Sequence, residues 1–488
     1  MKSRVIVFCC VLALLASACG SRLSEDELAT GGGTGGGSGT PAGDATQGPG
    51  ISQGDGTTED AGPKVGTLPV PCGEAEAAAE TTGGGASTTA ATTATTAAAP
   101  AGEVPGVSAD TLKIAVISDR AGVVKVPTIS IEESMKAFVD FCNSFGGING
   151  RMLELTTIDS KLFNHLEATR EACNAGVFAI VGSGSVTDNS GAQAMLDCDL
   201  IEVPAYTVTA LKGLSDNLVA PIPNPTNLFN VGPARYVAAE YPDAVKKAAI
   251  IHSGIEAADV QAERIIKAYE SEGFEFIVDK RTVVIQESYT SEVKAMADAG
   301  VEYVTMVSAT QETVKLLRDM KTQGFEPEVI DLGQQYYDPD LLEEPGSEGA
   351  IVQLNTVPFE EEGDSPALEA YLAAYGAVEG DKPPPGSLGV QSFSAGLLFA
   401  TAAKAAGPDL TRESVLAELK KITEWDGGGL HLPANPGENK VTDCFAYDVV
   451  EGGEFTRSYP EEATEFDCDE SYAFDLEDDY GGGAKKAG

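Results

Sequence analysis

The chain has 488 residues, a formal net charge of −43 and nine cysteines. This excess of acidic residues disfavours nucleic acid and anionic lipid headgroups as partners, because both are bound through basic patches. Regular apolar patterning extends from about residue 105 to about residue 470, which is enough chain for two hydrophobic cores and too much for one.

The first 18 residues have the composition of an export signal. Lys2 and Arg4 precede an apolar run of about eleven residues, which is too short to cross a bilayer as a stable helix. Residues 16–20 read Ala-Ser-Ala-Cys-Gly, as in a bacterial lipobox. We therefore predict cleavage before Cys19, lipidation of Cys19 and anchoring of the exported protein at the outer face of the cell membrane. An ordinary signal peptide with an incidental cysteine is the alternative.

The segments that flank the patterned region have the composition of unfolded chain. Residues 19–107 consist largely of Gly, Thr, Ala, Ser and Pro. Such a sequence buries too little apolar surface to fold, so we predict a flexible tether. Residues 471–488 are acidic and then rich in glycine, and we predict a disordered tail there.

Strand and helix patterns alternate from residue 112 onward. A strand pattern at 112–118 is followed by apolar positions with helical spacing up to Cys142, then by a glycine-rich turn at 146–151 and a strand from 153. The same alternation continues with predicted helices and strands at 162–173, 177–181, 189–199 and 201–203. This order is typical of a doubly wound α/β sheet.

A second series of the same kind follows. Its strands are predicted at 246–251, 274–277, 301–307, 329–331 and 350–356, with helices between them at 257–272, 291–299 and 312–323. The last part contains three helices without intervening strands, at 366–376, 387–407 and 411–422, and then a strand pair at 427–433 and 445–450. The predicted fold class is therefore α/β, with two doubly wound, Rossmann-like lobes.

Four segments together resemble the amino-acid-binding branch of the type I periplasmic binding proteins, which includes the leucine/isoleucine/valine-binding protein. They are residues 112–117, 145–151, 153–155 and 179–182, and the order of elements matches over about 105–460. The resemblance implies two lobes joined by a three-crossover hinge, 108–232 plus 358–424 and 233–357 plus 425–470. It also implies that a small polar solute, an amino acid or an amide-like compound, is captured between the lobes and delivered to the permease of an ABC transporter.

Ligands of open α/β sheets bind beyond the carboxyl ends of the strands. This rule selects four loops, at 118–122, 182–187, 205–209 and 333–338. The family's carboxylate-binding loops correspond to two of them, which implies that Ser185, Ala205 and Thr207 contact the ligand. Hydroxyl groups and free N–H groups at a helix N-terminus suit a carboxylate. The alternative for each serine is a turn residue that caps the next helix.

The sequence departs from the family where an α-ammonium group is expected to bind. Relatives that bind α-amino acids usually place an acid after the strand that ends here at Gly333, whereas this chain has Gln334, Gln335 and two tyrosines. Gln335 accepts a hydrogen bond from an ammonium group without neutralising it. An amide, a urea-like solute, a carboxylic acid or an aromatic compound therefore competes with an amino acid. Tyr336 is expected to stack on the ligand or to pack at the rim.

Arg120 has two expected partners. It is placed either to pair bidentately with a ligand carboxylate or to form an ion pair with one of the many surface acids, and composition favours the second.

Six cysteines remain after the signal and Cys19, and an even number in an exported chain indicates disulfides. Because helices 162–173 and 189–199 follow crossovers in the same direction, they lie side by side, and we predict a Cys173–Cys198 bridge. Cys444 and Cys468 are expected to pair locally. Cys72–Cys142 follows only by exclusion, and a buried free thiol at Cys142 is the alternative.

Neither a catalytic nor a metal-binding pattern is evident. The three histidines lack a partner at i+3 or i+4, there is no Cys-x-x-Cys pair, and no Gly-x-Ser-x-Gly elbow occurs in the patterned region from about residue 105 to about residue 470. We therefore predict no enzyme activity, no metal and no cofactor. The alternatives are a ligand-sensing receptor component that signals through a partner in trans and, less favoured, a cell-surface hydrolase.

Overall fold

The structure is a computed structural model that describes residues 62–74, 104–122, 126, 128–382, 384 and 386–485. The predicted signal at 1–18, the lipidation at Cys19 and most of the predicted tether lie outside these residues. In the described part, no helix is both long and apolar enough to cross a membrane.

A short hairpin lies within the stretch that is predicted to be a tether. Strands β1 (Lys64–Val65) and β2 (Leu68–Pro69) pair antiparallel, and Cys72 is bonded to Cys142 of the first lobe. The tether prediction therefore does not hold for residues 62–74. A few buried apolar side chains and one disulfide hold this segment, although its average composition is that of a linker.

The first lobe is built on a four-stranded parallel sheet in the order β4-β3-β5-β6. Its elements follow in the order β3 (Thr111–Ser118), α1 (Ile129–Ser144), β4 (Met152–Asp159), α2 (His165–Ala175), β5 (Ala179–Val181), α3 (Asn189–Asp197), β6 (Ile201–Val203) and α4 (Ala210–Gly213). The register pairs Ile114 with both Leu155 and Ala179, so β3 lies inside the sheet. All four carboxyl ends therefore meet at one edge.

The glycine-rich turn at 146–151 joins α1 to β4 at the opposite edge. Gly147 has a φ of +74°, and a Cβ at this position would lie 1.9 Å from the carbonyl oxygen of Arg151, so only glycine fits. Asn149 donates from Nδ2 to the carbonyl of Ala403 at 3.1 Å. The turn therefore connects the first strands of the lobe to one of its last helices, away from the edge where ligands bind.

The second lobe is built on an eight-stranded mixed sheet, in which β9-β8-β10-β11-β12 are parallel neighbours. The elements of this part are β7 (Leu228–Asn230), α5 (Gly232–Glu240), β8 (Ala248–Ser253), α6 (Glu256–Ser271), β9 (Phe276–Thr282), α7 (Thr290–Ala299), β10 (Tyr303–Val307), α8 (Thr310–Gln323), β11 (Val329–Leu332), α9 (Pro339–Leu342) and β12 (Ile351–Leu354). The parallel sheet of the first lobe and the parallel part of the second sheet thus arise from the same strand–helix alternation.

The chain passes between the lobes three times. After β12 it returns to the first lobe for α10 (Pro366–Glu379), α11 (Ser387–Ala405) and α12 (Arg412–Leu419), of which α10 and α11 pack against α1. It then crosses back and adds β13 (Cys444–Glu451), β14 (Glu454–Tyr459) and β15 (Asp467–Cys468) to the second sheet. The predicted fold class, two doubly wound lobes joined by three crossovers, is confirmed.

Two predicted strands differ from the structure. The predicted strand 274–277 is displaced to β9, an edge strand of the sheet in which the exposed Asp279, Lys280 and Arg281 interrupt the apolar pattern. Residues 427–433 form no strand, and β13 pairs instead with β12 and β14. Gly428 has a φ of +84°, and its Cβ position would lie 2.2 Å from the carbonyl oxygen of Val65, so a turn occupies this place.

The tail that is predicted to be disordered is ordered from residue 471 to residue 485. Strand β16 (Ala473–Asp475) pairs antiparallel with β7, and Tyr472 packs edge-on against Phe445. Further on, the backbone N–H of Ala484 donates to the carbonyl of Leu211 at 2.9 Å. The disorder prediction fails because backbone pairing and a few aromatic side chains hold a segment that is acidic on average.

Three disulfides join the cysteine pairs that the sequence predicts. Cys173 and Cys198 link the C-terminal ends of α2 and α3, with Cα atoms 6.0 Å apart. Cys444 and Cys468 link β13 to β15, with Cα atoms 4.0 Å apart. Together with the bridge from the N-terminal hairpin, these bonds hold peripheral segments against the two cores.

Candidate functional site

A cavity of about 390 Å³ lies between the two lobes. Its walls come from the loops after β5 and β6 of the first lobe, from the loops after β8, β10 and β11 of the second, and from the crossovers, which contribute Asn224, Asn355 and Leu432. This is the edge of both sheets at which open α/β folds bind ligands, and the volume suits a small molecule.

The cavity brings together two of the six predicted ligand-binding residues, one from each lobe. Thr207 follows β6, and Gln335 follows β11; both line the cavity. The other four predicted residues do not line the cavity, because their side chains make other contacts or are buried. They are Arg120, Ser185, Ala205 and Tyr336.

Ser185 is turned towards a buried carboxylate. Its hydroxyl donates to Oδ1 of Asp119 at 3.0 Å, and the backbone N–H of Val186 donates to Oδ2 at 2.8 Å. The hydroxyl of Ser160 donates to the same carboxylate. Burial raises the pKa of Asp119, while these hydrogen bonds oppose the rise. Asp119 therefore holds the loops after β3, β4 and β5 together through these hydrogen bonds. Ser185 is one of its donors and does not face the cavity.

The loop that carries Thr207 is held by a second buried aspartate. Asp188 accepts hydrogen bonds from the hydroxyl of Thr209 at 2.5 Å and from the N–H of Val208 at 2.9 Å. Burial raises the pKa of Asp188 to about 7. Ala205 is fully buried, and its N–H donates to the carbonyl of the neighbouring loop after β5 at 2.8 Å. The loop geometry that presents Thr207 is therefore set by groups behind the cavity wall.

Tyr336 belongs to the core of the second lobe. It is fully buried, its hydroxyl donates to the carbonyls of Met306 and Ser308 at 3.0 Å, and it accepts from the N–H of Ser308 at 3.0 Å. Tyr337 is also buried, and its hydroxyl donates to Glu360 at 2.5 Å. Neither aromatic ring is therefore available to stack on a ligand, because both hydroxyls are directed towards partners behind the cavity wall.

The amide side chains beside Gln335 form a neutral polar patch. Gln391 donates from Nε2 to Oε1 of Gln334 at 2.9 Å and to Oδ1 of Asn355 at 3.3 Å. These four residues line the cavity. The patch offers donors and acceptors without a charge, as the sequence predicts for this position.

Arg120 pairs with acids of its own lobe. Its Nη1 lies 2.7 Å from Oε2 of Glu132, its Nε lies 3.9 Å from Asp159, and 42% of its side chain is exposed. The structure thus pairs Arg120 with acids, as composition favours, although Glu132 is a buried acid and not a surface one. Arg120 does not belong to the described lining of the cavity.

One wall of the cavity was not anticipated from the sequence. Helix α6 contributes Ala257, Gln261, Arg264 and Ile265 to the lining. These residues share one helical face by their spacing. An arginine and a glutamine beside alanine and isoleucine on this face are the signal in the sequence that points to it.

The described lining is mainly apolar and contains no Asp, Glu, Lys or His. Among the described residues, no group of three or more His, Cys, Asp and Glu side chains is arranged to hold a metal ion. A serine–histidine contact, Ser394 Oγ to His431 Nε2 at 2.8 Å, is buried in the core. Burial lowers the pKa of His431 to about 4. The cavity lining therefore offers mainly apolar surface and neutral hydrogen-bonding groups, with Arg264 as its one charged side chain in the described lining.

Comparison with known proteins places this geometry in context. A family model described as periplasmic binding protein matches residues 111–450. A search among curated proteins finds no match.

Several solved structures share the fold at low sequence identity. The fatty acid ABC transporter substrate-binding protein from Thermomonospora curvata has a TM-score of 0.64 and 20% identity, and the match covers 75% of this chain and 96% of that one. A solute-binding protein from R. palustris in complex with 4-hydroxybenzoate has a TM-score of 0.62 and 17% identity, with 76% and 99% covered. The branched-chain amino acid transporter substrate-binding protein LivJ from Streptococcus pneumoniae, in complex with isoleucine, has a TM-score of 0.60 and 15% identity, with 71% and 98% covered. These similarities concern the fold.

Proposed function

This chain belongs to the periplasmic binding protein family, and we propose that it is an exported, lipid-anchored solute-binding protein that delivers a small molecule to an ABC permease. The observation that carries the proposal is the cavity between the two lobes, which receives Thr207 from one lobe and Gln335 from the other. A solute that contacts both lobes stabilises their closed arrangement, because its binding free energy is available only when the lobes meet.

The lining favours a solute with an apolar body. The sequence predicts a small polar solute, but most side chains around the cavity are aliphatic or aromatic, with Phe163, Ile255 and Leu388 among them. The neutral amides near Gln335 supply hydrogen bonds without a charge for an ammonium group. Structural relatives carry isoleucine or 4-hydroxybenzoate, and both of these solutes combine an apolar body with polar ends.

Solute binding is tested by thermal-shift and calorimetric screening of the full chain. The panel contains amino acids, amides, urea analogues, and aromatic and aliphatic acids. We expect at least one member to raise the melting temperature, since a solute at a hundredfold excess over its Kd stabilises the folded state by about 2.7 kcal/mol. Gln335→Ala should lower the affinity for that solute several-fold, because one hydrogen bond to it is lost.

Gln193→Ala is the matched control for this variant. Gln193 is an exposed glutamine of α3 whose amide donates to Asp197 at 3.0 Å, outside the cavity. An unchanged affinity is expected. Turnover of a solute instead of reversible binding would contradict the proposed function.

The anchor is tested separately through Cys19. The small residues before this cysteine support lipid attachment. We expect Cys19→Ala to move the exported protein from the membrane fraction to the soluble fraction. Loss of lipid labelling in the variant, seen by mass spectrometry, distinguishes a lost anchor from altered expression. A wild-type protein without a lipid on Cys19 would refute the anchor and leave solute binding untouched.

A further inference from the structure

Arg264 is a buried cation in the wall of the cavity. It lies on α6, only 1% of the residue is exposed, and Gln261 and Ile265 of the same helix also line the cavity. An arginine is rarely buried without a paired acid, because removing its charge from water is costly. The partners of Arg264 therefore indicate what the cavity is built to hold.

All hydrogen-bond partners of Arg264 are neutral. Nη2 donates to Oδ1 of Asn224 at 3.1 Å and to the carbonyls of Pro225 at 3.1 Å and Leu228 at 2.9 Å. Nη1 donates to Oε1 of Gln261 at 2.8 Å. The Nε–H group is buried and has no acceptor among the described residues. The guanidinium group thus retains donor capacity.

The charge of Arg264 is also unbalanced. In the part of the chain that the structure describes, no carboxylate lies within ion-pair distance of it, although the protein has 75 acidic residues. It is the one charged side chain in the described lining. Burial lowers the pKa of Arg264 to about 10, so the side chain remains protonated at neutral pH.

We propose that Arg264 binds the anionic group of the solute, and that the solute is a small monocarboxylate with an apolar body and without an ammonium group. This inference rests on the proposed solute-binding function. A carboxylate supplies the missing countercharge and accepts hydrogen bonds from the guanidinium. An ammonium group, in contrast, meets no acid in the described lining and is repelled by Arg264.

Asn224 links this cation to the predicted ligand loop of the other lobe. Its Nδ2 donates to the carbonyl of Thr207 at 2.9 Å, while its Oδ1 accepts from Arg264. Arg264 of the second lobe and Thr207 of the first lobe are therefore both hydrogen-bonded to Asn224, a residue of the crossover. A carboxylate bound to Arg264 therefore lies close to residues of both lobes. The apolar part of the solute then packs against the aliphatic side chains of the cavity.

Two matched series of compounds test the charge requirement on the full wild-type chain. The aliphatic series is 4-methylpentanoate, 4-methylpentanamide and leucine; the aromatic series is 3-phenylpropanoate, 3-phenylpropanamide and phenylalanine. Each series keeps the body and changes only the charged ends. We expect an acid to bind at least about tenfold more tightly than its amide and its amino acid, as charge-assisted hydrogen bonds to a buried cation require.

Variants of Arg264 test whether this side chain causes the preference for a carboxylate. Arg264→Gln should weaken binding of the favoured acid at least about tenfold and leave its amide almost unaffected, and Arg264→Lys should recover part of the loss. Arg281→Gln is the control, since Arg281 is 58% exposed and pairs with Asp259 outside the cavity. Far-ultraviolet circular dichroism verifies that each variant is folded. If Arg264→Gln does not fold, the wild-type series still decides.

Three results overturn the inference. Tighter binding of the amides or amino acids shows that a solute binds and that Arg264 does not select an anion. Unchanged affinity of the acids in folded Arg264→Gln places the carboxylate elsewhere. Failure of all six compounds refutes the proposed solute class, whereas the wider panel tests solute binding itself.

Discussion

Replacing Lys212 with methionine should lower the free energy of unfolding by about 3–5 kcal/mol, because it leaves a carboxylate buried without its partner. Lys212 on α4 forms an ion pair with Glu202 on β6, and both side chains are only 2% exposed. The hydroxyl of Ser183 donates to the same carboxylate. The pair connects α4, β6 and the loop after β5, behind the loop that carries Thr207. Urea denaturation measures the change.

The double variant Lys212→Met/Glu202→Gln separates the ion pair from simple loss of packing. Removing both charges should restore much of the stability, since no uncompensated charge remains. Lys294→Met is the control, because Lys294 is 68% exposed and its pair with Asp298 is solvated, so little change is expected. A double variant as unstable as Lys212→Met would show that the lysine stem, and not its charge, is what matters.

Asp448→Asn should stabilise the protein at pH 8 by roughly 4 kcal/mol and have little effect near pH 4. Asp448 lies on β13, is 1% exposed, and neither of its carboxylate oxygens has a hydrogen-bond partner among the described residues. Burial, together with the nearby Glu360 and Glu361 and against the opposing effect of Arg457, raises the pKa of Asp448 to about 7.

The dependence of stability on pH follows from the proton that Asp448 binds. Because the folded state holds this carboxyl proton more tightly than the unfolded state, the wild type loses stability as the pH rises from about 4 to about 7, and the loss is complete above that window. Asparagine does not ionise, so the Asp448→Asn variant lacks this loss of stability at high pH. Urea denaturation of both proteins near pH 4 and at pH 8 measures this difference. Asp298→Asn, at an exposed position of α7, should show no such difference between the two pH values. An equal effect of Asp448→Asn at both pH values would contradict the buried-charge explanation.

The fold could be predicted from the sequence because its signals are local. Apolar periodicity marks the alternating strands and helices, and Thr411 with Ser414 forms a local capping box at the start of α12. The glycines of the 146–151 turn also act locally, since Gly147 has no room for a side chain. Errors occur where the pattern is weak, as at the polar edge strand β9.

Site residues were less predictable because a loop position does not determine where a side chain points. Ser185 lies in a correctly chosen loop, yet its hydroxyl is directed to Asp119, which is 66 positions earlier in the chain. Tyr336 adjoins Gln335, but only Gln335 lines the cavity. Arg264 lines the cavity from a face of α6. The rule for ligand sites in open α/β sheets selects only loops at the carboxyl ends of strands, so it does not include this helix.

The sequence by itself determined the α/β class, the two-lobed organisation and the loops near the binding edge, because these follow from residue spacing along short segments. Only the tertiary structure decided that residues 62–74 and 471–485 pack on the lobes, that Ser185 and Tyr336 face inward, and that Arg264 reaches the cavity without an acid beside it. Those outcomes depend on contacts between residues far apart in the chain, and only folding brings such residues together.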